Sequence, residues 1–351
     1  MTVQEYTIPH KMSAAFLKSF ERIDVEEIDV PSVGPGEALV RMRACGICSG
    51  DVMPWYIEKK APLVLGHEPA GEVVKVGPGV TGFAPGDRVF VHHHAPCMAC
   101  ELCARGDYVQ CPTWRATRII PGGLAEYVLV PETNLKNDTL RLPDNIGFEA
   151  GTLVEPLACV VNGVRRMGGF LRGGSVVVIG LGVMGMLFVV LARHYGAGRI
   201  IGLDMNPWRL DKAMGLGATD VLDARDPESV GKAASMTGGG AGRVVIGPGS
   251  IKAMESGIGL AGPGGTVLFF TPTPPGEVVS FDQNLVYFKD LSFVQSYSCG
   301  PDDTREALGL IASGVIPVDD IITHRFPLKL AGEAFRMTAA AGESLKCIVT
   351  L

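Results

Sequence analysis

Clusters of positive charge are missing from this 351-residue chain. Its 31 Lys and Arg are outnumbered by 37 Asp and Glu, giving a formal net charge of -6. No basic block of the kind that tracks a phosphate backbone appears, so nucleic acid is not an expected partner. The chain also lacks the apolar stretch of a signal peptide in Met1–Lys11. A long enough apolar run for a membrane span is missing too. The longest, Val176–Ala192, is broken by Gly180, Gly182 and Gly185 and reads as a buried strand, turn and helix. There is no internal repeat and no low-complexity tract. Charged residues are only 19% of the chain against 47% hydrophobic ones, which excludes disorder and leaves material for a large core. The length suggests two domains, on a prior of about 150 residues each.

Cysteine is the residue that is plentiful, with nine in the chain. Four of them, Cys97, Cys100, Cys103 and Cys111, fall within fifteen residues. Such spacing supplies four soft thiolates to one tetrahedral ion, and zinc is the metal that wants them. Four protein ligands leave no position for substrate, so this site is expected to be structural and to fold its own loop. Thiolates kept for a metal also imply a reducing compartment, and the cytoplasm is the expected location. His92, His93 and His94 lie just upstream. On a strand, neighbours point to opposite faces, so these three read as a strand end at a surface or interface rather than a ligand set.

The first half of the chain reads as β-rich. Apolar stretches at Ala38–Met42, Gly71–Val76, Arg88–His92 and Ala125–Val130 are separated by Gly-Pro turns. From about Glu155 the texture changes to alternating elements. A helix is expected at Leu157–Met167, and strands at Ser175–Ile179, Arg199–Leu203, Arg243–Ile246 and Thr266–Thr271. Helices intervene to about Tyr195 and over Pro207–Leu216. The fold class is therefore α/β: a barrel-type β domain followed by a doubly wound parallel sheet.

Gly180-Leu181-Gly182-Val183-Met184-Gly185 sits between the first such strand and its helix. Gly180 would make the tight turn, Gly182 would let the backbone approach a pyrophosphate, and Gly185 would allow close helix packing. The phosphates, with Val183 and Met184 beside them, would meet the positive end of the helix dipole. Asp204 ends the next strand, 19 residues after Gly185. A carboxylate there accepts hydrogen bonds from ribose hydroxyls and repels a 2′-phosphate, so NAD is the expected cofactor and NADP the alternative. Arg209 stands nearby, where it either softens that preference or stacks on adenine.

A second set of zinc-type residues is dispersed: Cys48 in Cys45-Gly46-Ile47-Cys48, the pair His67-Glu68 after Gly66, and Glu155 before Pro156. One thiolate, one imidazole and a carboxylate make an open site of the catalytic type. No local spacing joins them.

In order along nearly the whole chain run Gly34-Pro35-Gly36-Glu37, Cys45-Gly46-Ile47-Cys48, Gly66-His67-Glu68 and Pro85-Gly86-Asp87-Arg88-Val89. The four-cysteine lobe, Gly122-Gly123-Leu124-Ala125-Glu126-Tyr127, Glu155-Pro156-Leu157 and the glycine turn follow. With these pieces the chain resembles the zinc-dependent medium-chain dehydrogenase/reductase superfamily, most of all its sorbitol, threonine and polyol dehydrogenases. The resemblance implies a GroES-like catalytic domain over 1–156, rejoined by 293–351, and a Rossmann NAD-binding domain over 157–292. It implies a catalytic zinc held by Cys48 and His67. Of Glu68 and Glu155, one binds directly and the other through water, or the two exchange. Asp51 aligns with a carboxylate that orients the ligand histidine, while Cys45 is not a ligand. The implied reaction is hydride transfer between a small alcohol or polyol and NAD. A reductase using NADP is the alternative, and a non-catalytic protein on the same fold a more distant one. The family forms dimers or tetramers, and Phe281–Phe293 is apolar enough to contribute to a homotetramer. Two departures stand out. The usual hydroxyl and histidine of a proton relay are replaced by Gly50 and Met53, with Ser49 one place early as the substitute. The arginine that sorbitol-type enzymes carry near Tyr297-Ser298-Cys299-Gly300 is absent.

Overall fold

The computed structural model describes residues 6–351, so the start of the Met1–Lys11 stretch lies outside the described residues. The chain divides into two compact units. The first comprises 1–158, 299–314 and 318–351, and the second 159–298 with 315–317.

The first unit is built mainly on antiparallel strands, with Ile322–Pro327 and Lys346–Thr350 pairing in parallel. In its seven-stranded sheet, Ile322–Pro327, Lys346–Thr350, Ala38–Gly46, Glu68–Val76, Arg88–Val91 and Thr139–Arg141 follow one another, and Tyr127–Val130 also pairs with Ala38–Gly46. Val40, Met42, Val73, Val89, Val91, Val128 and Val130 form one core cluster from these strands. The β-branched valines among them suit a pleated, buried surface. A smaller sheet of Arg22–Asp29, Lys11–Ser19 and Leu63–Val64 adds a hairpin that the Gly-Pro turn signals do not mark. The C-terminal strand is central to this unit. Ile348, Val349 and Thr350 lie opposite Gly46, Cys45 and Ala44, so the end of the chain is fixed beside the Cys45–Cys48 segment.

The second unit is a six-stranded, all-parallel sheet. Its order is Asp220–Asp223, Arg199–Asp204, Ser175–Ile179, Ala241–Ile246, Ala261–Phe269, Ser292–Gln295. Numbered along the chain this is 3-2-1-4-5-6, the doubly wound dinucleotide-binding order. Val176–Val178 are at most 1% exposed, as a strand covered on both faces requires. The apolar run at 176–192 is thus a strand ending at Ile179 and a helix, Val183–His194, buried over most of its surface. Arg193 and His194 fill its last turn, where positive charge complements the helix dipole. The expected boundary at 293 falls inside the strand Ser292–Gln295. That strand takes its backbone partners from Ala261–Phe269, and the chain enters the first unit only at Cys299. The helix Val154–Arg166 likewise runs through the expected boundary at 156. No helix among the described residues is long and apolar enough to cross a membrane.

Candidate active site and metal centres

Both sets of zinc-type residues lie in the first unit. Around the lobe, ligand atoms of Cys97, Cys100, Cys103 and Cys111 all lie within 4.8 Å of one another. Sulfur–sulfur separations are 3.9 Å for Cys97–Cys103, 3.5 Å for Cys100–Cys103 and 3.7 Å for Cys97–Cys111. A tetrahedron with zinc–sulfur bonds of about 2.3 Å has edges of about 3.8 Å, so the cysteine cage fits a structural zinc. The backbone is shaped for it. Met98 takes a left-handed φ of 58°, turning the chain between the first two cysteines. The N–H groups of Ala99 and Cys97 donate to the sulfurs of Cys97 and Cys111. The Ala99 N–H draws the Cys97 thiol below its ordinary range. Burial opposes the same change at Cys111, yet the N–H groups of Cys97, Trp114 and Thr113 bring it down to about 6. The lobe's own apolar core is small, resting on Tyr108 and Trp114 besides the cysteines.

The second centre is assembled from separate elements. Cys48 caps a short 3₁₀ turn at Ser49–Val52, His67 precedes the strand Glu68–Val76, and Glu68 opens it. Ligand atoms of Cys48, His67 and Glu68 lie within 4.8 Å of one another. The glycines explain the local sequence. A Cβ on Gly46 would lie 1.8 Å from Oε2 of Glu68, so only glycine leaves room for that carboxylate. Gly66 has φ +97°, and a Cβ there would meet the Leu124 nitrogen at 2.7 Å. Asp51, 6% exposed, places Oδ2 3.4 Å from Nδ1 of His67. Burial works against charge on His67, but Asp51 and Cys48 outweigh it and hold the imidazole well above its ordinary value. Cys48, Asp51, Glu68 and Glu155 surround one imidazole, and such a set of anionic donors suits a divalent cation.

Lys346 is the residue of this centre that sequence reasoning missed. Its Nζ lies 2.7 Å from both oxygens of Glu68 and donates to the Ile47 carbonyl at 3.0 Å. Lysine and glutamate are 1% and 0% exposed. Burial opposes the charge on Lys346, yet the facing carboxylate keeps its ammonium above the ordinary lysine value. The signal was available: Lys346 is a single charge in the apolar run Leu345–Leu351, and such a charge needs a partner inside.

The three histidines are not a surface strand end. His92 is fully buried, with Nδ1 2.6 Å from Asp138 Oδ2 and Nε2 3.7 Å from the Cys299 sulfur. Thr304 donates to the other Asp138 oxygen at 2.5 Å. His94 Nδ1 meets the Thr117 carbonyl at 2.6 Å, and its ring stacks 4.3 Å from Trp114. His93 lies with its ring 4.9 Å from that of His67. Burial, with His67 and His92 beside it, holds His93 well below the ordinary imidazole range. The surface expectation fails at His92, which is fully buried, whereas His93 and His94 are half-buried. Ser49, the substitute relay hydroxyl, is exposed, whereas Cys45 is buried in the core.

In the second unit, Gly180 has φ +84°, and a Cβ on Gly185 would lie 2.0 Å from the Gly180 carbonyl oxygen. Gly182 instead faces open space, with the nearest atom to its missing Cβ being Nη1 of Arg209 at 3.9 Å. Asp204 ties the turn to the strand end. Its Oδ2 accepts from the Leu181 N–H at 2.6 Å and its Oδ1 from the Asn206 N–H at 2.9 Å.

Residues 34–144 match the alcohol dehydrogenase GroES-like domain, and residues 182–313 match the zinc-binding dehydrogenase family. The chain belongs to the zinc-dependent medium-chain dehydrogenase/reductase superfamily. Among its relatives is the sorbitol dehydrogenase of Bombyx mori, 33% identical over 96% of this chain and 97% of that one. The 2R,3R-butanediol dehydrogenase of Bacillus subtilis is similar in structure, with a TM-score of 0.85 at 26% identity over 97% and 99% of the two chains. A Sinorhizobium meliloti 1021 protein solved with NADP gives a TM-score of 0.87 at 32% identity over 97% and 99%.

Proposed function

We propose that this chain is an alcohol/polyol dehydrogenase that transfers a hydride between a small secondary alcohol or polyol and NAD, with one catalytic and one structural zinc. The observation that carries this reading is the convergence of Cys48, His67 and Glu68 from separate elements onto one point. Polyol and diol dehydrogenases among its relatives support the substrate class. Zinc, when bound, lowers the pKa of a hydroxyl at its open position. Cys48 and His67 would hold it. Glu68, whose carboxylate lies with the ligand atoms of Cys48 and His67 and is faced by Lys346, or Glu155 would be the further ligand, with the other acting through a water. Asp51 fixes the ring of His67. The first unit is then the catalytic domain and the second the cofactor domain. NADH appearance is measured with polyols, diols, hydroxy amino acids and secondary alcohols, on protein whose zinc has been counted. A rate with one of these classes that disappears in Cys48→Ser supports the reading. Silence across all of them with both zinc sites filled overturns it.

Asp204 supports NAD, because each carboxylate oxygen can accept more than the single N–H it already binds. A second reading, a carbonyl reductase using NADP, draws on the Arg209 guanidinium above Gly182 and on the relative solved with NADP. Comparing kcat/KM with the two cofactors decides between them. Asp204→Asn shifts the ratio towards NADP by roughly tenfold or more if the carboxylate repels a 2′-phosphate. A homotetramer in the cytoplasm fits the reading. Val278, Phe281, Tyr287 and Phe288 are 76%, 49%, 69% and 76% exposed beside the sheet-edge strand Ser292–Gln295, an apolar surface suited to a second copy. Sedimentation as a monomer would overturn the oligomer.

A further inference from the structure

His92 and Cys299 belong neither to the four-cysteine lobe nor to the Cys48–His67–Glu68 centre. The strand Arg88–Val91 ends one residue before His92, so strand alternation does not hold His92 and His93 on opposite faces. His92 is 0% exposed, and its Nδ1 lies 2.6 Å from Oδ2 of Asp138, whose other oxygen accepts from Thr304 at 2.5 Å. That carboxylate keeps a proton on Nδ1 and leaves Nε2 as the free donor of the ring, 3.7 Å from the Cys299 sulfur. Cys299 is 0% exposed as well.

Two further donors approach this pair. Ligand atoms of His92, His93 and Glu155 lie within 4.8 Å of one another, and a Glu155 oxygen lies within 4.8 Å of the Cys299 sulfur. The enclosed Nδ1 of His93 has no hydrogen-bond partner among the described residues. A buried polar atom left in that state calls for an ion or a water to complete it. The spacing suits a metal. Zinc–nitrogen bonds of about 2.05 Å and zinc–sulfur bonds of about 2.3 Å in a tetrahedron put nitrogen and sulfur about 3.6 Å apart. Asp138 suits it too, since a metal-bound imidazole characteristically gives its other N–H to a carboxylate. Charge points the same way. Two neutral imidazoles, a thiolate and a carboxylate carry two negative charges, which one divalent cation cancels where water is excluded.

We propose that His92, His93, Glu155 and Cys299 form a third metal site, which takes zinc through two imidazole nitrogens, a carboxylate and a thiolate. The donors decide the ion, because thiolate and imidazole suit zinc while magnesium and calcium want oxygen. Four protein ligands leave no open position, so this ion is structural. Its binding releases the Cys299 thiol proton to solvent and leaves Asp138 as the outer partner that orients His92. The site shares no residue with Cys48, His67 and Glu68. When filled, it commits Glu155 and leaves Glu68 to that centre. It stands on donor geometry and does not require that the chain oxidise an alcohol.

Zinc is counted per chain on full-length protein that has been saturated with zinc and then passed over a weak chelator to strip surface ions. Wild type should retain three, Cys299→Ala two, and Cys48→Ser combined with Cys299→Ala only the one in the lobe. Asp138→Asn keeps all four ligands and should weaken the third ion roughly 10–100-fold against a competing chelator. Anomalous scattering at the zinc edge, from crystals of the same wild-type protein, should place a peak among the four side chains, and this measurement does not depend on any variant folding. No peak there overturns the site whatever the count, and makes the Nε2–Sγ contact an ordinary hydrogen bond. A third zinc that persists in Cys299→Ala overturns it too. A peak at this site with the Cys48 centre empty supports the proposal and counts against the dehydrogenase reading alone.

Discussion

Two metal-type clusters, the four-cysteine lobe and the Cys48–His67–Glu68 centre, sit in one unit and are built in opposite ways. In the lobe, four identical ligands come from one segment of fifteen residues, around a core that rests on Tyr108 and Trp114. At the other centre, groups of three chemical types come from Cys48 and from His67 and Glu68 on separate segments, and the strand Lys346–Thr350 supplies the counter-charge. On the proposed reading the lobe would depend on its metal for its fold, whereas the assembled centre would depend on the fold to hold a metal. A closed cage of thiolates offers no open position, while a mixed set of one thiolate, one imidazole and carboxylates leaves one for a reacting oxygen.

The most severe way to test the contrast is to remove one sulfur from each. Cys48→Ser should abolish dehydrogenation while leaving the lobe's zinc and the melting temperature near wild type. Cys103→Ser should empty the lobe and lower stability, with the segment around 97–111 becoming sensitive to protease, since metal binding there is folding energy. Zinc analysis, thermal melting and limited proteolysis report the two outcomes. A Cys48→Ser protein that unfolds as readily as Cys103→Ser would erase the distinction.

That contrast also governs how much could be read from the sequence. The lobe was legible because its four ligands carry their own spacing. The parallel sheet was legible because Ser175–Ile179 and its successors are continuous apolar runs flanked by helices. The glycines of 180–185 are explained by local geometry alone, a turn at Gly180 and a close approach at Gly185. The assembled centre was legible only through a resemblance, because no spacing links Cys48 to Glu155. What escaped was what long-range pairing decides. The side chain of Lys346 reads as the edge of an apolar strand until Glu68 is seen opposite it. His92 reads as a surface residue until Asp138 and Cys299 close around it. The last parallel strand escaped for the same reason, since Ser292–Gln295 is a strand only by virtue of its neighbour.

The buried pair gives the next largest effect. Lys346→Met removes the ammonium that faces both oxygens of Glu68 in a fully buried site, and breaking such a pair should cost about 3–5 kcal/mol. Adding Glu68→Gln removes the stranded charge and should return part of that loss. Chemical denaturation of the single and double variants measures the coupling. Equal losses in both would mean that Lys346 acts by packing alone. Asp51→Asn should do less to stability and more to the metal, lowering zinc affinity at the assembled centre by roughly 10–100-fold with the lobe untouched. Zinc competition with a chromogenic chelator resolves the two sites if the assembled one empties first.

The smallest expected effect is the one that would restore a hydroxyl where Gly50 now stands. A Cβ there would lie 3.5 Å from the Cys48 sulfur and 3.8 Å from Cε of Met53, both ordinary contacts, so Gly50→Ser should fold without strain. Relieving glycine's freedom in the unfolded chain should add about 0.4–1 kcal/mol of stability. The hydroxyl would then stand near the Cys48 sulfur, whereas Ser49 is exposed. If loss of the substrate proton limited turnover, supplying a positioned group would raise kcat by roughly 10²–10⁴-fold. The expected gain is below about tenfold, because proton transfer by general acid–base groups speeds only the step in which the proton moves, and release or hydride transfer then limits. Rates in ordinary and deuterated water separate these cases. A large gain accompanied by a vanishing solvent isotope effect would show that Gly50 leaves a real gap in the proton path. A small gain with the isotope effect unchanged would show that the assembled centre, unlike the lobe, already has in its own groups the exit it needs.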